Sequence, residues 1–457
     1  MLTIIDSTHS QSSSIPLLLI NPWIYDFAAY DFWAKPLGLL SIAGLLRSRG
    51  YAVTVIDCLS RIETDSFEEY KTPPLTKHAG GTGKFFKQEV QKPASLQAIP
   101  RRYSRYGIPP DLFEHKLQKV TAPAAILVTS SMTYWYPGVV EAIRIAKRFF
   151  PKAPVILGGV YATLCHDHAK RFSGADIVIA GPGEQTVLDL LPQTSGQKPC
   201  ASLSVDSLPY PAFDLLESLP YLCIATSRGC PLACSYCASH ALYPGYRRRS
   251  PIAVVDEIQF WINEHHIEDI AFYDDALLFH AANHIVPILE EIIRRGLTCR
   301  FHTPNGLHLR FITEEIAHLL FQSGFKTLRF GLETADEKRL AITGAKTSQK
   351  GFVDAVHCLH QAGYSRNDIG AYLLAGLPGQ KAAEVEASIR FVKDCGARPC
   401  LAEYSPIPGT LLWKDAVRTS PFDIAQEPLY QNNSILPCQW EEFTADDLQR
   451  LKNLSKT

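Results

Sequence analysis

Over the first 200 residues, short apolar runs alternate with patterns that repeat at the helical period. Pro16-Leu-Leu-Leu-Ile20 predicts a buried strand, and Pro36–Arg49, closed by Gly50, predicts a helix. Further strands are predicted at Tyr51–Asp57, Ala124–Thr129, Pro154–Leu157 and Ala175–Ala180. A helix with Val140, Ile143 and Ala146 on one face separates the third from the fourth. Strands that alternate with helices need crossovers, which gives a parallel, doubly wound sheet with ligands at the C-terminal strand ends. The stretch from Leu59 to Ala122, with Pro73-Pro74, Gly80-Gly81 and Pro109-Pro110, interrupts this pattern and reads as a long irregular insertion. Within it, Gly80-Gly-Thr-Gly-Lys84 superficially suggests a phosphate loop. His78 stands at the first glycine position and no strand precedes it, so it reads as a flexible loop.

A Pro/Ser/Gly-rich segment, Pro192–Ser218, predicts a linker. Beyond it the alternation resumes. Strands are expected near Tyr221–Thr226, Asp269–Tyr273, Thr298–Thr303, Thr327–Gly331, Ile369–Ala375 and Ala402–Tyr404. Helices are expected at Ala253–Glu264, Ile285–Arg294, Thr313–Phe321, Phe352–Ala362 and Ala382–Lys393. Six βα units predict a partial (β/α)6 barrel, smaller than the eight-unit form of about 250 residues. The expected organisation is a first domain over 1–200, a barrel over 201–410 and a C-terminal tail over 411–457, helical near Ala445–Leu454.

Composition changes this picture little. The chain has 457 residues, 46% hydrophobic and 20% charged, with a formal net charge of -1, which argues against disorder and broad nucleic-acid binding. No apolar run approaches the ~20 residues needed to span a bilayer, and Met1–Ser14 lacks the pattern of a secretion signal. Twelve cysteines are too sparse for a disulfide scaffold. Their distribution matters more, because Cys230, Cys234 and Cys237 lie within eight residues on the loop leaving the barrel's first strand. Three thiolates there suit a soft metal centre, either an iron–sulfur cluster or, with His240, a Cys3His zinc site. The other nine show no second ligand spacing and read as core thiols.

The segment Gly229-Cys230-Pro-Leu-Ala-Cys234-Ser-Tyr236-Cys237 resembles the signature of the radical S-adenosylmethionine (SAM) superfamily, over nearly all of residues 220–410. The resemblance implies a [4Fe-4S] cluster on the three cysteines, with SAM on the open iron. One electron then cleaves SAM and releases a 5′-deoxyadenosyl radical. It also implies SAM contacts at Tyr236, at Asp274 and Asp275 after the second strand, at Asn305 after the third, at Glu333 after the fourth and at Gly376 after the fifth. Read from the residues alone, the Asp pair could cap a helix, Asn305 could mark a turn and Glu333 could cap the next helix. Tyr246-Arg-Arg-Arg249 reads as an exposed basic helix start or an acid-binding patch.

The first domain ahead of such a barrel resembles the cobalamin-dependent branch of the superfamily. Matching residues are Ser130, Ser131, Gly158, Gly159, Gly181 and Glu184, where glycines admit a ligand and hydroxyls satisfy a buried heterocycle. The cobalt-ligating Asp-x-His-x-x-Gly motif is absent. An aromatic loop, Trp23 to Trp33, stands after the first strand, and Trp33 could cap the cobalt face or pack at the domain interface.

The implied function is a radical SAM enzyme with a [4Fe-4S] cluster, SAM and cobalamin that transfers a methyl group to an unactivated carbon. The alternatives are a radical cyclase or rearrangement enzyme and a non-enzymatic zinc scaffold. Expected partners are a small-molecule or peptide substrate and a reducing electron-donor protein, with no membrane or nucleic acid, in the cytoplasm.

Overall fold

The computed structural model describes residues 14–61, 79–192 and 203–456, apart from residue 345. The strands of the first half are β1 (Pro16–Asn21), β2 (Ile24–Asp26), β3 (Ala52–Asp57), β4 (Lys87–Glu89), β5 (Ser104–Tyr106), β6 (Ala125–Val128), β7 (Val155–Leu157) and β8 (Ile177–Val178). Five form a parallel sheet in the order β3-β1-β6-β7-β8. Leu17 to Asn21 and Ala125 to Val128 are buried throughout, as expected for strands covered on both faces. The strand order reverses between β1 and β6, so the crevice for a ligand opens above their C-terminal ends.

Two expectations are corrected here. The stretch 59–122 is not irregular where described: β5 pairs with β2 on one side and β4 on the other in an antiparallel sheet, and a helix spans Pro110–Gln118. Pro73-Pro74 and His78 lie outside the described residues. The Gly80–Lys84 segment is held rather than free. Gly83 exchanges both backbone hydrogen bonds with Asp31, and the Trp33 indole N–H donates to the Gly80 carbonyl at 2.8 Å.

The second half contributes β9 (Leu222–Ile224), β10 (Ser227–Arg228), β11 (Arg247–Arg248), β12 (Asp269–Phe272), β13 (Arg300–His302), β14 (Phe325–Glu333), β15 (Ile369–Ala375) and β16 (Arg398–Glu403). Six pair in parallel in the order β16-β15-β14-β13-β12-β9, while β10 and β11 form a short antiparallel pair. Among the described residues β9 and β16 do not pair, so the barrel is open on one side. Helices Pro251–His265, Ile285–Arg294, Glu314–Gln322, Gln349–Gln361 and Ala382–Asp394 pack their apolar faces on the strands.

The first domain lines part of that opening. Its segment Asp31–Lys35 runs beside β9. The Tyr221 hydroxyl donates to Asp31, the Cys223 thiol points to the Trp33 carbonyl at 3.4 Å, and the Lys35 N–H donates to the Tyr273 hydroxyl at 3.0 Å. Trp33, only 3% exposed, stacks on His302 of β13 at 4.3 Å. The C-terminal segment also has a structural role, because Asn432 donates to buried Asp26 at 2.9 Å and Tyr136 to Glu427 at 3.1 Å. It clamps the first domain to the barrel and ends in a helix, Ala445–Lys456.

Candidate active site

The thiol loop leaves the barrel directly after β10, which is pinned by its pairing with β11. Cys230 and Cys234 are buried and Cys237 is half-buried. Backbone N–H groups of Leu232 and Ser239 point at the sulfurs of Cys230 and Cys237, each at 3.5 Å, and the Ser239 hydroxyl is 3.2 Å from the latter. Such bonds stabilise thiolate character. In the free thiol form, burial pushes Cys230 up to about 11. The Cys3His alternative is not assembled. His240 is exposed and turned to the backbone, with Nε2 at 3.0 Å from the Leu232 carbonyl.

Around this loop the expected residues separate into those that face it and those committed elsewhere. Glu333 ends β14 with a φ of 70°, a strained conformation for a non-glycine residue. Its carboxylate pairs with the Lys346 ammonium at 2.9 Å, and Lys346 stands 5.3 Å over the Tyr236 ring beside Cys234. The buried Tyr236 hydroxyl has no hydrogen-bond partner among the described residues, nor has either ring nitrogen of His308, which lies near Asp275 and Lys346. Burial raises the Asp275 carboxyl above its usual range, and its charge acts on Cys230.

Asp274, expected beside it as a SAM contact, is instead a structural group. It is 4% exposed and accepts from the Thr226 N–H at 3.0 Å, the Thr226 hydroxyl at 2.7 Å and the Ser227 hydroxyl at 2.5 Å. It fixes the start of the thiol loop, with most of its acceptor capacity taken up by these three donors. Asn305 is exposed and donates to the Tyr273 carbonyl at 2.9 Å, tying two strand ends together. Gly376 donates to Gln380 at 2.9 Å, and a side chain there would meet Leu436 of the C-terminal segment at 2.9 Å. In the basic run Tyr246–Arg249, Arg249 is taken up by buried Glu257 at 2.6 Å, whereas Arg247 and Arg248 are exposed.

Sequence reasoning missed Lys346, His308 and Glu257. The first carried one weak signal, a basic residue shortly after the helix that follows Glu333.

At the strand ends of the first domain, Gly158, Gly159 and Gly181 border a small slot between Leu127, Ile156 and Ile179. A methyl group added at Gly158 or Gly181 would meet nothing within 4 Å and would project into open space. Gly159 is different. Its φ is 97°, and a side chain would stand 2.3 Å from the Ser130 carbonyl. Ser130 donates to the Gly158 carbonyl at 2.7 Å and accepts from the Ala162 N–H, so its hydroxyl shapes the slot. Glu184 pairs with Arg228, two residues before Cys230, which couples the slot to the thiol loop. Trp33 does not border either cavity and belongs to the barrel core. The ring packs at the domain interface, the second of the two roles its sequence leaves open, stacked on His302.

A cavity of about 320 Å³ joins the two halves, with Ser130, Ser131 and Gly159 on one wall and Arg228, Gly229 and Asp275 on the other. The donor set fits the expected groups. Three thiols sit on the loop that continues from Gly229 on one wall, and the glycine-lined apolar slot meets the cavity at Gly159 on the other.

Comparison with known proteins agrees with this division. Residues 224–392 match the radical SAM superfamily and residues 104–191 the B12 binding domain. An uncharacterized methyltransferase of Pyrococcus horikoshii is 25% identical over 374 residues, covering 74% of this chain and 77% of that protein. The anaerobic magnesium-protoporphyrin IX monomethyl ester cyclase of Rubrivivax gelatinosus is 24% identical over 312 residues, covering 60% of this chain and 55% of that one. Among solved structures, the radical SAM methyltransferase TsrM of Kitasatospora setae superposes with a TM-score of 0.63 at 17% identity, covering 89% of this chain and 76% of that one. These matches and the thiol loop agree: the chain carries a radical SAM domain over residues 224–392, with a B12-binding domain ahead of it over residues 104–191.

Proposed function

We propose that the protein is a cobalamin-dependent radical SAM methyltransferase acting on an unactivated carbon. The observation that carries this reading is the shared cavity: Gly159 of the glycine slot and Arg228 and Gly229, which lead directly into the thiol loop, line the same space. When bound, the [4Fe-4S] cluster supplies the electron that cleaves SAM, and cobalamin carries the methyl group. Cys230, Cys234 and Cys237 would hold the cluster. Tyr236, Asp275 and the Glu333–Lys346 pair would position SAM through polar contacts in a buried site. Gly158, Gly159 and Gly181 would admit the cobalamin tail, and the Glu184–Arg228 pair would hold the two halves in register. The methyltransferase relative in Pyrococcus and the fold of TsrM support methyl transfer. The cyclase relative favours ring closure as the second reading. An oxygen-sensitive cluster also implies a reducing compartment and an electron-donor protein.

Anaerobic reconstitution tests the proposal. About four iron per chain, retained corrinoid, and both 5′-deoxyadenosine and S-adenosylhomocysteine from SAM are expected. Cys234→Ala should lose the iron and the SAM cleavage while keeping its far-ultraviolet dichroism. Iron without corrinoid affinity would refute cobalamin dependence, and one zinc per chain would refute the radical chemistry altogether.

A further inference from the structure

The inner face of the barrel holds two arginines whose donors are not matched by acids. Register places Arg329 of β14, Gly370 of β15 and Arg398 of β16 in one row, with Gly331, Tyr372 and Cys400 in the next. Because Gly370 has no side chain, the Arg329 guanidinium lies across it. A Cβ at residue 370 would stand 2.7 Å from Nη1. This brings Arg329 beside Arg398, Tyr372 and Cys400.

Arg329 is only 6% exposed, yet among the described residues it forms no ion pair; its guanidinium donates to the Leu328 carbonyl at 3.0 Å and to the neutral Tyr372 hydroxyl. The Nε of Arg398 is buried without a partner among the described residues. Acids that could neutralise them are engaged elsewhere. Glu403 pairs with Lys452 at 2.6 Å, and Asp269 is held by Arg300 and His302. A guanidinium keeps its charge in a protein, and a buried charge needs a partner. Two adjacent guanidiniums with no facing acid make a fork suited to a carboxylate or a phosphate.

The pair is also reachable. Arg398 and Cys400 border an open groove along β16 that is lined by Arg366 and Lys452. On the other side, the Phe32 ring, 36% exposed, lies 5.9 Å from the Arg329 guanidinium. Both lie on the side where β9 and β16 leave the barrel unpaired.

We propose that Arg329 and Arg398 form a subsite for an oxyanion, carboxylate or phosphate, carried by the substrate, with Phe32 against its adjoining apolar part. The proposal rests on the functional reading above only in assigning the anion to the substrate of this barrel. The absence of an acid facing either guanidinium among the described residues stands independently of it.

The test is calorimetric titration of the reconstituted full chain with benzoate, inorganic phosphate and the neutral isostere benzamide, at constant ionic strength. At least one anion should bind, with benzamide about tenfold weaker or worse than benzoate. Arg398→Gln should weaken the anion about tenfold or more, and Arg329→Lys, which keeps the charge but loses the fork, should weaken it measurably. Far-ultraviolet dichroism confirms that both variants fold, and exposed Arg390→Gln should bind like wild type. Tighter benzoate assigns a carboxylate, and tighter phosphate a phosphorylated substrate. Absence of binding by both anions, equal binding of benzamide, or wild-type affinity in Arg398→Gln would overturn the proposal. SAM cleavage and corrinoid content of the same preparation report separately on the functional reading, so the two failures are distinguishable.

Discussion

Replacing Lys346 by Met probes how the structure holds charge beside the thiol loop. Lys346 and Glu333 are 2.9 Å apart, with side chains 13% and 8% exposed. Burial opposes the ammonium, but Glu333 and Cys234 outweigh it and raise its pKa from 10.5 to about 12. That rise corresponds to about 2 kcal/mol of stabilisation of the charged form. Because the pKa is raised, the contribution is complete below 10.5 and is lost as pH climbs through about 12, so it is fully present at neutral pH. Lys346→Met removes the attraction and also leaves the Glu333 carboxylate buried alone, at a combined cost of about 3–5 kcal/mol. Glu333→Gln in the same chain removes the stranded charge, so the double variant should recover about 2 kcal/mol of that loss. Urea unfolding of the cluster-free protein at pH 7.5, followed by barrel tryptophan fluorescence, measures all four members of the cycle. A loss below about 1 kcal/mol in Lys346→Met, or strictly additive effects, would refute the reasoning, because a buried pair must show coupling.

Two further predictions concern the glycine slot and acid stability. Gly159→Ala should destabilise the first domain by about 2 kcal/mol or more, since it strains a positive φ and meets the Ser130 carbonyl. Gly158→Ala should leave the melting temperature within a degree or two but reduce corrinoid retention, and equal effects from the two variants would contradict the slot geometry. His284 is fully buried and held down to about 4, first by burial and then by Arg248 and Arg249. A depressed histidine stabilises above 6.5 and loses that contribution as pH falls toward 4, because the unfolded chain takes up the proton first. The slope of stability against pH between 6.5 and 4.5 should therefore be shallower in His284→Asn, and an unchanged slope would show that this ring does not titrate as described.

The sequence by itself determined the architecture and the chemistry of the thiol loop. Apolar runs of strand length such as Leu17–Ile20 and Ala125–Val128 can only be buried on both faces, and the helices between them force parallel pairing. Likewise Cys230, Cys234 and Cys237 lie on one short loop after a barrel strand, so their neighbourhood is a local property of spacing. Choices that depend on distant partners were not legible. Asp274 and Asp275 are neighbours of the same type, yet Thr226 and Ser227, nearly fifty residues away, engage one and leave the other toward the cavity. Trp33 could face a cofactor or an interface until His302 supplies a stacking surface. Lys346 gains its role from Glu333 and Tyr236, and Arg329 from a glycine at 370 on the adjacent strand. Periodicity fixes which face of its own element a side chain occupies. Only the packing of elements fixes which buried charge finds a counter-charge, because a contact across the barrel leaves no spacing in the chain.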